Sequence, residues 1–328
     1  MRLNLNEGAG TGLGRRTLLA AMGGLLGAAL AGCGAGGNGD GGGSTPLVVV
    51  TTGHIHDAAA AIVEGTDVEL QLLCGPGVDP HSYSASTRDV LAMDRAAAIL
   101  FNGFHLEAQL GEILDGGKFA DKSWSMAGAF PGDQRLEWVE DGEVDPNAPF
   151  DPHIWNDLKG WSVCVEALAA HLGTVFPDEA ASFAENGAAY VAKVREADAW
   201  ASELLSKLPK ERRFLVSGHD AFSYFARSYD METMAVLGVG NDPEADLRTM
   251  RNVAEAVSER QVPVIFLESI TNPKLTEALQ EACEARGWQV KIADTPLYSD
   301  DLGDTAPVDT FLGAFRSNVE TIVAALEV

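Results

Sequence analysis

The sequence has little cysteine and few basic residues, and each shortage argues against a class of function. Four cysteines are spread over 328 residues without a CxxC pair, which argues against a thiolate metal centre. Lys and Arg total 23 against 48 Asp and Glu, giving a formal net charge of −25, and this excludes a general affinity for nucleic acid. Neither an HExxH motif nor a GxSxG elbow occurs, so two common hydrolase motifs are missing.

Long apolar runs are also scarce, and the one near the N-terminus is typical of an export signal. Arg15-Arg16 precede an uncharged stretch that ends in Leu30-Ala31-Gly32-Cys33. This pattern predicts a lipoprotein signal peptide over residues 1–32, with Cys33 as the lipidated first residue of the mature chain. The Gly-rich segment 33–45 predicts a flexible tether. The general secretory route and the twin-arginine route both remain open.

Residues 46–328 alternate strand-like and helix-like stretches, which predicts an α/β fold with mostly parallel sheets. The predicted strands are apolar runs of five or six residues: Leu47–Thr52, Val68–Leu73, Ala97–Phe101, Arg213–Ser217, Thr233–Leu237, Val264–Glu268 and Gln289–Ala293. Helical periodicity between them is clearest over Ser86–Arg95 and Asp246–Glu259.

The middle of the chain has a different pattern, with helical spacing sustained over about 30 residues. Pro177-Asp178-Glu179 provides an opening signal for a helix, although Gly187 inside it costs about 1 kcal/mol against alanine. We therefore predict two α/β lobes, 46–176 and 209–328, each with a mostly parallel sheet flanked by helices. One long, rigid helix over 177–208 is predicted to join them.

Three histidine motifs and one aspartate loop predict a metal site. His81 and His153 each end an Asp-Pro-His turn, His219 lies in Ser217-Gly218-His219-Asp220, and Asp300 lies in Tyr298-Ser299-Asp300-Asp301. Proline restricts the backbone beside each of the first two histidines, and loops at the carboxyl ends of parallel strands meet in a crevice. Three imidazoles and one carboxylate suit Zn²⁺ or Mn²⁺. We expect these four residues to bind one ion between the lobes.

Other polar residues near these motifs have weaker cases. Glu268, at the end of a predicted buried strand, is the best candidate to hold the second nitrogen of a ligand imidazole. His54 and His56 follow the first strand and lie either near the site or at an exposed helix start. We expect His105 to have a structural role and His171 to be solvated on a helix face.

The motifs together resemble those of a known family. The segments that carry the resemblance are Gly75–Tyr83, Asn102–Glu107, Phe150–Trp155, Ser217–Phe225, Ile265–Ser269 and Tyr298–Gly303. The chain is similar across essentially the whole mature domain to the zinc/manganese solute-binding lipoproteins of bacterial ABC importers, the TroA/ZnuA-type cluster A-I family. The resemblance implies the two-lobe fold and the ligand set His81, His153, His219 and Asp300. It also implies an ABC permease and its ATPase as partners.

The resemblance implies a metal receptor rather than an enzyme. The Leu-Ala-Gly-Cys pattern at Cys33 and the tether predict that it is extracytoplasmic and lipid-anchored at the outer face of the cytoplasmic membrane, and we expect a monomer. Two departures leave the metal open between Zn²⁺ and Mn²⁺. The acidic loop 135–150 lacks the histidines frequent in the zinc branch, and His219 stands where the manganese branch often has glutamate. The alternatives are a surface adhesin with a structural metal and, less favoured, a secreted zinc hydrolase.

Overall fold

A computed structural model describes residues 45–140, 143–144, 150–240 and 247–327. The predicted signal peptide, Cys33 and nearly all of the tether lie outside these ranges, as does most of the acidic segment 141–149. Within the described ranges, every helix is too short or too polar to span a lipid bilayer.

Helices and strands alternate along the chain, as the sequence predicts. The strands are β1 Leu47–Thr52, β2 Glu69–Cys74, β3 Ala98–Phe101, β4 Ser123–Ser125, β5 Val139–Glu140, β6 Glu143–Val144, β7 Phe214–His219, β8 Glu232–Leu237, β9 Val264–Ile265 and β10 Lys291–Ile292. The α-helices are α1 Gly53–Ile62, α2 Thr87–Arg95, α3 Gly111–Leu114, α4 Met126–Ala129, α5 Leu158–Val175, α6 Ala180–Leu205, α7 Ser223–Ser228, α8 Leu247–Glu259, α9 Pro273–Glu284 and α10 Phe311–Leu326.

Side-chain caps fix the start of several helices. Ser86 and Asp89 form a reciprocal capping box at α2. The Asp157 carboxylate accepts hydrogen bonds from the first backbone N–H groups of α5. Asn272 caps α9, whose first residue is Pro273. The cap at Asp157 bears on the metal site, because Asp157 fixes the end of the short segment that carries His153 to the start of α5.

The part of the chain before α6, here called the N-terminal lobe, contains a parallel sheet in the order β2-β1-β3-β4. Its first three strands agree with the predicted ones to within a residue or two at each end. The short strand β4 is absent from the predicted strands, because it has no run of apolar residues. Its pairing with β3 is what defines it as a strand.

The part after α6, the C-terminal lobe, contains two parallel pairs, β7-β8 and β9-β10. A backbone hydrogen bond from Phe266 N to Val216 O (2.9 Å) links the pairs. The predicted strand Val264–Glu268 ends at Ile265, although Glu268 still bridges Leu297 in parallel. Both lobes thus contain parallel sheets flanked by helices, and the predicted fold class is confirmed.

Between the lobes, α6 is continuous through Gly187 and spans Ala180–Leu205, about 39 Å at 1.5 Å per residue. Its buried residues follow helical spacing, mostly three or four positions apart: Phe183, Gly187, Tyr190, Val191, Val194, Ala197, Ala201 and Leu205. They face α5, α1 and α10. The lobe boundaries at 176 and 209 remain a prediction.

The largest apolar core is continuous across both lobes. It includes Val48 and Ile55 from the N-terminal lobe, the buried face of α6, and Phe222 and Phe311 from the C-terminal lobe. Smaller clusters lie on the outer face of each sheet. Cys74, Cys164 and Cys283 are free and buried.

Gly187 is required by the close approach of α5 and α6. A Cβ atom at this position would lie 2.7 Å from Cβ of Ala169 on α5. We predict that Gly187→Ala lowers the free energy of unfolding by about 1–2 kcal/mol, because overpacking outweighs the better helix propensity of alanine. Denaturant unfolding measures the change.

The matched control is Ala188→Gly, on the exposed side of the same helix, which tests helix propensity alone and should cost about 1 kcal/mol. A stabilised Gly187→Ala protein would show that the two helices can separate at no cost.

Candidate metal centre

The structure brings together the four side chains that the motifs single out. One potential ligand atom from each of His81, His153, His219 and Asp300 lies within 4.8 Å of the other three. Nε2 of His81 and Nε2 of His219 lie 3.3 Å and 3.1 Å from Oδ2 of Asp300, and Nε2 of His153 lies 3.4 Å from Oδ1. All four residues are buried, with His81 the most exposed at 7%.

Strand ends and adjoining loops position these side chains. His219 is the last residue of β7, and His81 lies in the loop after β2. Asp300 lies in the loop after β10, and His153 directly precedes a 3₁₀ turn over Ile154–Asn156. The carboxyl ends of parallel strands therefore supply part of the site, as expected for an α/β fold.

The aspartate of each Asp-Pro-His turn organises the histidine that follows. Oδ1 of Asp151 accepts a hydrogen bond from the backbone N–H of His153 (2.9 Å) and lies 2.7 Å from its Nδ1. Asp79 accepts from the backbone N–H of His81 (2.8 Å) and from the Ser82 hydroxyl (3.0 Å). The sequence interpretation assigned this ordering to proline alone and missed Asp151. The spacing Asp-x-His is the signal that could have found it.

Glu268 occupies the position expected of a carboxylate behind a ligand imidazole. Its Oε2 lies 2.6 Å from Nδ1 of His219, and its Oε1 accepts from the backbone N–H groups of Gly218 (2.6 Å) and His219 (2.9 Å). Contacts of this kind set the tautomer and orientation of an imidazole. Nε2 of His219 is thereby directed toward Asp300.

The charges in the cluster move the pKa values of its members in opposite directions. Burial favours neutral Asp300, but the imidazoles of His219 and His153 outweigh burial and hold the pKa of Asp300 well below its usual range. Burial also lowers the pKa of His219, yet Glu268 and Asp300 raise it well above 6.5 overall. For His81 burial prevails, and its pKa is lowered. Asp300 is therefore ionised near neutral pH.

The cluster has the chemistry of a cation site. Both carboxylate oxygens of Asp300 and Nε2 of His219 are buried. The imidazole nitrogens approach these oxygens to 3.1–3.4 Å, but none of the contacts among the described residues has hydrogen-bond geometry. Buried polar atoms without a hydrogen bond are rare in proteins, and a bound ion is one way to satisfy them. Three imidazole nitrogens and a carboxylate oxygen facing one point match the donors of a four-coordinate Zn²⁺ site and are also compatible with Mn²⁺.

Of the two alternatives for His54, the exposed helix start is wrong, because the residue is buried close to the four-residue cluster. Its ring is 2% exposed and stacks on Trp155 at 4.5 Å between centroids. Burial lowers its pKa to about 3, so the ring is neutral. Trp155 in turn lies edge-on to His153 at 5.4 Å. His56, two residues further on, is half-buried.

The two remaining histidines lie outside the cluster. His105 is exposed and adopts a positive φ of 67°, which fits a structural turn. His171 is half-buried and stacks on Trp124 at 5.1 Å. The expectation of a merely solvated His171 is therefore wrong, because its ring packs against the indole of Trp124.

The family model described as zinc-uptake complex component A, periplasmic, matches residues 48–325. The zinc-binding protein TroA of Treponema pallidum is 40% identical over 282 residues, which cover 86% of this chain and 89% of TroA. The manganese-binding lipoprotein MntA of Bacillus subtilis is 32% identical over 300 residues, 91% of this chain and 95% of MntA. The solved structure of periplasmic zinc-binding TroA from Treponema pallidum matches with a TM-score of 0.80 at 39% identity, covering 86% of this chain and 99% of that one.

The family match takes in nearly all of both lobes, together with α6 and the four converging side chains. The resemblance predicted from the motifs is thereby confirmed, and the chain belongs to the periplasmic zinc-uptake complex component A family.

Proposed function

We propose that this protein is the extracytoplasmic receptor of a metal-ion ABC importer. It binds one Zn²⁺ or Mn²⁺ through His81, His153, His219 and Asp300 and delivers the ion to a membrane permease. The observation that carries the proposal is the convergence of these four buried side chains, whose ligand atoms lie within 4.8 Å of one another. Membership of an uptake-complex family supports delivery as the purpose of binding.

The choice between the two metals rests on donor chemistry and on relatives. Borderline nitrogen donors favour Zn²⁺, while a carboxylate that binds through both oxygens would suit Mn²⁺. The relatives divide in the same way, with TroA named a zinc-binding protein and MntA a manganese-binding lipoprotein. We therefore propose that both ions bind and that their relative affinity is the quantity to measure.

A carrier role accounts for the donor count better than catalysis does. A catalytic zinc usually has three protein ligands and keeps a position for water. Here four protein donors surround one point, and they are nearly fully buried. The protein is accordingly proposed to be a receptor and not a hydrolase.

The sequence supplies the proposed location and partners. Lipidation of Cys33 and the tether 33–45 would hold the binding domain at the outer face of the cytoplasmic membrane. We propose that the protein acts there as a monomer and docks on a permease driven by an ATPase. Globomycin-sensitive processing of the precursor would test the lipid anchor.

Competitive titration of the metal-free protein with Zn²⁺ and Mn²⁺, followed by metal analysis, tests the proposed function. We expect one ion per chain. Because His219 provides a direct ligand and is fully buried, His219→Ala should lose most of the affinity while its circular dichroism stays that of the wild type.

His105→Ala is the matched control, since it removes an exposed imidazole in the N-terminal lobe and should bind normally. Unchanged binding by His219→Ala, or failure of the wild type to bind either ion, would refute the proposed site.

Glu268 should contribute to affinity without contacting the ion. Because its carboxylate lies 2.6 Å from Nδ1 of His219, Glu268→Gln removes the charge that orients and polarises this imidazole. We expect metal affinity to fall about 10- to 100-fold, measured by competition with a chelator. Glu277→Gln, an exposed substitution on α9, should have no effect. Equal behaviour of the two variants would contradict the role of Glu268.

Metal affinity should decrease as the pH falls. The raised pKa of His219, caused by Glu268 and Asp300 against the opposing effect of burial, means that an incoming ion must displace a proton near neutral pH. More protons compete at lower pH, so the apparent affinity should fall steadily between pH 8 and 5.5. A flat profile over this range would contradict ligation by three imidazoles.

A further inference from the structure

The four candidate ligands are not held equally by the C-terminal lobe. His219 and Asp300 belong to that lobe, and hydrogen bonds across the lobes tie the His153 segment to it as well. These bonds run from Trp155 Nε1 to Ser299 O (2.8 Å), from Asn156 Nδ2 to Ala221 O (2.8 Å) and from Arg227 to the Asp157 carboxylate (2.7 Å). Three of the four ligands are thus fixed to one body.

His81 depends on a different connection. It lies in the loop 75–86 between β2 and α2, and this loop meets the C-terminal lobe at Asp301. Oδ2 of Asp301 accepts a hydrogen bond from the backbone N–H of Gly77 at 2.7 Å. Gly77 adopts a φ of +74°, a conformation that glycine reaches at low cost.

Asp301 is itself anchored beside the other ligands. The hydroxyl of Ser269 donates to Oδ1 of Asp301, and the backbone N–H of Ser269 donates to Leu297 O at 2.9 Å. Asp301 follows Asp300 directly and is 4% exposed. Its carboxylate therefore joins the His81 loop to the segments that carry Asp300 and Glu268.

The hydrogen bond between Gly77 and Asp301 is partly shielded from solvent, so water replaces it only in part when the carboxylate is removed. Because this bond connects two loops far apart in the chain, its loss removes this link between the His81 loop and the C-terminal lobe. The loop then keeps its packing in the N-terminal lobe through Val78 and Tyr83, and the other three ligands keep their supports. We propose that Asp301 is a positioning residue that closes the His81 loop over the bound ion and thereby sets how slowly the ion leaves. This inference rests on the proposed function.

The test measures Zn²⁺ dissociation from the full-length protein by stopped flow into excess chromophoric chelator. Asp301→Ala should bind one ion per chain but release it about tenfold faster, because a single hydrogen bond contributes up to roughly a factor of ten to an equilibrium. Ser269→Ala, which keeps the carboxylate but removes its support, should accelerate release in the same direction by a smaller factor. Asp304→Ala removes an exposed acid from the same loop and should match the wild type.

A double-mutant cycle identifies the ligand through which Asp301 acts. If Asp301 positions His81, adding Asp301→Ala to His81→Ala should not accelerate release further. An undiminished effect in that background would show that Asp301 acts through its neighbour Asp300 and would overturn the inference. Unchanged release from the single variant would overturn it too.

Hydrogen exchange of the metal-free protein gives a readout independent of binding. Asp301→Ala should speed exchange in the peptide 78–86 and leave the His153 segment 150–157 unchanged, whereas Asp304→Ala should alter neither. Equal exchange of 78–86 in wild type and Asp301→Ala would overturn the inference even if the protein bound no metal. Failure of wild-type binding alone would instead count against the proposed function.

Discussion

The site depends on one ionised carboxylate in a buried position. Asp300 is 2% exposed, and an isolated charge in such a position is costly to bury. Two of the imidazoles around it compensate, since His219 and His153 hold the pKa of Asp300 well below its usual range. Further carboxylates then stabilise these two imidazoles, Asp151 beside His153 and Glu268 beside His219. Outward from Asp300, carboxylates and imidazoles therefore alternate: Asp300 faces two imidazoles, and each of these faces a second carboxylate.

This alternation can be maintained because the surrounding protein fixes the loops. The main apolar core extends through both lobes and α6, and close-packed protein interiors resist small displacements. Gly187 lets α5 and α6 approach until a methyl group would not fit between them. Separating the lobes would expose this core to water. The loops of the site can therefore rearrange at lower cost than the lobes can part.

Much of the fold and the candidate ligands could be predicted from local pattern. Apolar runs identified β1, β2 and β7, and the Asp-Pro-His turns selected His81 and His153 as metal-ligand candidates, a role that stays a prediction. The missed features depend on contacts between distant segments. Strand β4 exists through its pairing with β3. His54 is buried because Trp155, 101 positions later in the sequence, covers its ring, and no local spacing encodes that contact.

The core shared by the two lobes limits what a partner could recognise. If the lobes keep their relation whether or not an ion is held, the loaded and the empty protein have nearly the same outline. A membrane partner would then have to discriminate between them at the rim of the site, where the loop 75–86 meets Asp301. Information about occupancy would be carried by a surface a few residues wide, and a change in that rim would alter recognition and the rate of ion release together.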